Sequence, residues 1–79
     1  MNKDEIIDDL RSVLDNAPSD FGIDTALDRS WFDSLNRLSV LALVDEIAGR
    51  DGSPRLEMRE LERMKTVGEI VSFILGAKN

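Results

Sequence analysis

Apolar residues in this chain return every three or four positions in four separate stretches, and such a pattern folds as helices that each bury one stripe. Ile6, Ile7, Leu10, Val13 and Leu14 form the first stretch. Asn2, with Glu5 three residues on, supplies its N-cap and capping-box partner, and Asn16, Ala17 and Pro18 are expected to end it. The second stretch opens at Asp33 or Ser34 and runs through Leu35, Leu38, Leu41, Val44 or Asp45, and Ala48, widened by Val40, Leu43 and Ile47. It is the most apolar segment and is expected at the centre, with Gly49 as its stop and the turn-rich GRDGSPR after it. Leu56, Met58, Leu61 and Met64 suffice for a short third helix. Thr66 and Glu69 make a second capping box, which launches a last helix with Val67, Ile70, Val71, Ile74 and Leu75 inward and Gly76 as its stop. The expected fold is all-α, one domain over residues 1–79: a small four-helix bundle of three longer helices and one short one.

Between Ser19 and Phe32 no period survives, and Gly22 with scattered Asp, Thr and Ser predicts a long ordered loop. A loop this long is unusual in so small a domain and is often functional. Its apolar residues, Phe21, Ile23, Ala26, Leu27, Trp31 and Phe32, are expected to pin it to the core.

With 79 residues the chain has little room for both a core and a deep active-site cleft. It has no cysteine, hence no disulfide and no thiol nucleophile, and no histidine, the commonest general base. Neither a catalytic residue nor a metal site is therefore expected. The net charge of −6 repels phosphate backbones and attracts basic partner surfaces, so no nucleic acid is expected as a partner. The amino terminus lacks the pattern of a signal peptide, and the apolar run Val40–Val44 is far too short to span a bilayer. A cytoplasmic monomer is the expectation.

The informative stretch is Asp33-Ser34-Leu35, at the head of the central helix. A phosphodiester on Ser34 would sit beside free backbone N–H groups at the positive end of the helix dipole. The hydroxyl would also stand at a loop–helix junction, within reach of another enzyme. The plain structural reading of Asp33 and Ser34 is an ordinary N-cap pair.

These residues carry a resemblance. The chain resembles the acyl carrier protein family, which includes peptidyl and D-alanyl carrier domains. Asp33-Ser34-Leu35 is similar to the family's Asp-Ser-Leu attachment motif; Leu38, Val40, Leu41 and Val44 fall where its second helix places core residues; and Met64 to Ile70 looks like the Thr-Val segment that opens its fourth helix. The resemblance implies that a Mg²⁺-dependent phosphopantetheinyl transferase attaches 4′-phosphopantetheine to Ser34, flanked by Asp33 and Leu35. It implies further partners that load and process acyl or aminoacyl thioesters, in fatty acid, polyketide or nonribosomal biosynthesis.

The chain departs from the family in places. Ser30 and Trp31 stand where Leu-Gly is usual, and the link GRDGSPR is longer than the usual connection. Asn36 and Ser39 occupy positions where acidic residues are common, and Arg37 adds a positive charge, while Asp45 and Glu46 keep the acidic end. These six residues, Trp31, Asn36, Arg37, Ser39, Asp45 and Glu46, are the expected partner-reading surface of a carrier dedicated to its own pathway. Trp31 is expected to pack inward over the core. The rival reading is a helical adaptor with no prosthetic group.

Overall fold

The structure, a computed structural model, describes residues 2–52 and 54–76. Among them lie four helices, α1 (Lys3–Val13), α2 (Ser34–Asp51), α3 (Met58–Arg63) and α4 (Val67–Ile74), and no strand. The expected small helical bundle is the observed one. α2 packs against α1 and α3, and α1 also meets α4. None of the helices is long and apolar enough to cross a membrane.

Each helix begins where a cap satisfies its first N–H groups. At α1 the Asn2 side chain accepts from the Glu5 N–H at 2.9 Å, and Glu5 accepts from the Asn2 N–H at 2.9 Å. At α4 the Glu69 carboxylate reaches back to the N–H groups of Lys65 (2.7 Å) and Thr66 (3.1 Å). Both expected capping pairs are therefore present. α1 ends at Val13 with Leu14 already extended, earlier than Asn16–Pro18, and Asn16 takes a positive φ of 62° in the turn that follows.

Ile6 and Leu10 of α1, Val40, Val44 and Ile47 of α2, Leu61 of α3 and the Val67, Ile70, Val71 and Ile74 face of α4 meet in one core. Burial of each such side chain stabilises by roughly 1.5–3 kcal/mol. The phase of α2 differs from the expected one: Leu35 is 72% and Leu38 54% exposed, and the inward series is Asn36, Val40, Leu43, Val44 and Ile47. α2 also runs through Gly49 and stops at Gly52, whose left-handed φ of 73° suits a residue without a Cβ. Ser53 of the connection lies outside the described residues. Leu56 is buried just ahead of α3 rather than within it, and Leu75, just past α4, is 43% exposed rather than inward.

The long loop is held partly as expected. Phe21 and Phe32 are buried, and Leu27 and Trp31 are half-buried against the core. Ile23 and Ala26 are exposed, and backbone hydrogen bonds hold their part of the loop instead. The N–H groups of Leu27, Val67 and Gly68 donate to Lys65, Thr25 and Ile23 carbonyls at 2.8–2.9 Å, with Ala26 and Thr66 forming an isolated antiparallel bridge. Gly68 permits this approach, because a Cβ there would lie 2.9 Å from the Ile23 carbonyl oxygen.

Candidate functional site

The head of α2 is built from its cap outward. Asp33 is extended, and its carboxylate accepts from the Asn36 N–H at 3.0 Å. That leaves the N–H groups of Ser34 and Leu35, at the first two helical positions, without acceptors inside the helix. Ser34 is exposed there, as the sequence leads one to expect.

The side chain that meets Ser34 is Arg37, one turn on. Its Nη2 donates to Ser34 Oγ at 3.2 Å, and its Nη1 donates to the Phe32 carbonyl at 3.3 Å. Its Nε is buried and has no acceptor among the described residues. Arg37 is half-buried and lines a cavity of about 40 Å³ with Leu27, Arg29, Phe32, Leu61, Glu62 and Met64. Space for one water needs roughly 10–15 Å³ of such volume, so this cavity admits a few small atoms and no chain. A broad open groove of about 530 Å³ lies elsewhere, between Ile23–Asp24 and α4, and none of its lining residues belongs to α2.

Asn36 is not on the surface. It is 4% exposed, so partners cannot read it directly. Its Oδ1 accepts from the Asp15 N–H at 2.9 Å, and its Nδ2 donates to the carbonyls of Asp15 (2.9 Å) and Trp31 (2.7 Å). Asn36 thereby ties the exit of α1 and the end of the long loop to the head of α2. A buried amide in a helix is tolerated when its bonds are filled in this way.

Trp31 packs as expected, half-buried against the core, with its ring edge-on to Phe21 (6.1 Å between centroids) and Phe32 (5.4 Å). Ser39 is half-buried; Asp45 and Glu46 are exposed, with Arg55 Nε 3.9 Å from the Asp45 carboxylate. An exposed pair of that kind adds little to stability. Leu35 and Leu38 add an apolar stretch to the same outward face.

Compared with protein-family models, curated proteins and solved structures, the chain finds no match.

A serine-linked phosphodiester fits the head of α2. Two backbone N–H groups and the helix dipole favour an anion there, and Arg37 brings a permanent positive charge to the oxygen that would carry it. Asp33 is the nearby like charge, and its carboxylate is engaged with the Asn36 N–H. Spacing alone places Arg37 near Ser34, since residues three apart share a helix face. The unpaired Nε and the inward turn of Asn36 have no such signal in the sequence.

Proposed function

We propose that this chain is a carrier protein: Ser34 takes a 4′-phosphopantetheine arm, and the chain presents tethered acyl or aminoacyl groups to partner enzymes. The observation that carries this reading is an exposed serine at the first position of α2, with an arginine on its oxygen and no carboxylate in that helix's first turn. Ser34 is not equipped to attack a substrate by itself. Arg37, the side chain bonded to its hydroxyl, is a donor only and cannot take the proton.

A separate transferase must therefore supply the base. Ser34 Oγ forms the new bond to phosphorus as the pyrophosphate bond of coenzyme A breaks. The hydroxyl proton passes to the transferase, and adenosine 3′,5′-bisphosphate leaves. The terminal thiol of the bound arm supplies the thioester that this chain, lacking cysteine, has no side chain to make. Tethering raises the effective concentration of cargo at each partner's active site. Leu35, Leu38, Asp45 and Glu46, outward on α2, form the face that partners read.

Intact mass after incubation with coenzyme A and several broad-specificity transferases tests the proposal. Wild type should gain one phosphopantetheine, and Ser34→Ala none, with helicity and cooperative unfolding nearly unchanged. A wild type that stays unmodified by all of them, or a Ser34→Ala variant that gains mass, overturns the assignment. The first outcome would favour an unmodified adaptor, for which the exposure of Leu35 and Leu38 provides a docking face.

A further inference from the structure

We infer that Arg37 is the clamp for the phosphodiester on Ser34, an inference that rests on the carrier reading. Nε and Nη2 are the two donor corners of one edge of a guanidinium, the edge that can hold two oxygens of one phosphate. The Nη2 corner already lies 3.2 Å from Ser34 Oγ. The Nε corner beside it is buried without an acceptor among the described residues, a costly arrangement for a polar N–H. Nη1, on the other edge, donates to the Phe32 carbonyl at 3.3 Å and holds the guanidinium plane against the loop. Once phosphorus is bonded to Oγ, its unesterified oxygens would lie two bonds from the atom that Nη2 already touches. One of them can satisfy Nε through a small rotation of Arg37.

The competing account is that Arg37 serves only to hold the Phe32 carbonyl. That account uses Nη1 and leaves Nε without an acceptor among the described residues. In the clamp account the first bonds of the arm are fixed to α2, so its swing begins beyond the phosphate. The charge of the phosphodiester is met by this chain rather than left for partners to meet.

The test compares apo and holo forms of ¹⁵N-labelled wild type, Arg37→Gln and Arg37→Lys. On modification of wild type, the Arg37 Nε–H resonance should shift and its exchange with water should slow. Tm should rise by about 4 °C, the size expected when a small domain gains one charge-assisted contact. In Arg37→Gln the rise should fall to less than half. Arg37→Lys, which keeps the charge and loses the fork, should retain only part of it. A wild type that gains the arm with no change at Nε–H overturns the clamp and leaves carriage standing, and it decides even if Arg37→Gln fails to fold. An undiminished Tm rise in Arg37→Gln or in Arg37→Lys overturns the clamp as well. A wild type that gains no mass removes the carrier reading, and the clamp with it.

Discussion

Three of the four helices begin in one way, and α2 begins in another. At α1, α3 and α4 a glutamate in the third helical position (Glu5, Glu60 and Glu69) folds back onto the N–H of the capping residue. The positive end of each helix is thereby occupied by the chain's own carboxylate. At α2 the same position holds Asn36, which turns inward to the loop backbone, and the first turn has no acidic residue. Asp33 supplies half a cap, and Arg37 supplies a positive charge where the other helices have a negative one. The first two helical N–H groups lack intrahelical acceptors at every start, but among these four helices α2 alone faces an arginine instead of a folded-back glutamate, and it bears an exposed serine at its first position.

The largest expected effect comes from breaking what replaces the box at α2. Asn36→Ala should cost about 3 kcal/mol, because it strips partners from the Asp15 N–H and the carbonyls of Asp15 and Trp31. Urea unfolding measures it; a loss under about 1 kcal/mol would mean that these backbone groups find water instead. For the same reason Asn36→Asp would not add a charge for partners to read; it would set a carboxylate against two carbonyls. Breaking a closed start should cost less: Glu69→Ala is expected to lose about 1 kcal/mol by the same measurement. A loss equal to that of Asn36→Ala would erase the distinction between the two kinds of start.

The smallest effect sharpens the comparison most. Ser34 and Lys3 both occupy the first position of a helix. Ser34→Glu should gain about 0.5 kcal/mol, from the dipole and Arg37 together. Lys3→Glu should gain nothing, because Asp4 and Glu5 already fill that end. Equal responses at the two sites, read from Tm in low salt, would show that α2 has no special room for an anion.

The starts of α1 and α4 could be read from the sequence because a capping box demands particular residues at a fixed spacing, as Asn2–Glu5 and Thr66–Glu69 show. The rotation of α2 could not. Its apolar residues surround it, so Leu35, Leu38 and Leu41 make as good a helical series as Val40, Val44 and Ile47. The observed choice is the one that lets Asn36 and the Asp15 backbone, 21 residues back in the chain, exchange two hydrogen bonds. Periodicity weighs only hydrophobicity, and a polar residue that belongs inside is invisible to it. The stop at Gly52 has no distinguishing signal in the sequence for a related reason. Gly49 has open space at its Cβ position and no need of glycine, whereas the left-handed turn falls three residues later. The exposure of Ser34 is legible in the sequence because it follows from where a helix starts, not from which way that helix is turned.

The stitching of the long loop to the segment before α4 has a consequence for how this sequence can drift. Hydrogen bonds between main-chain atoms do not depend on the identity of the side chains, so the outward residues Asp24 and Ala26 are free to change without unfastening the loop. Gly68 is the exception, since any side chain there meets the Ile23 backbone. A lineage descended from this chain would therefore keep one glycine while the residues across from it wander, and the loop's outer surface would diversify faster than the path it follows.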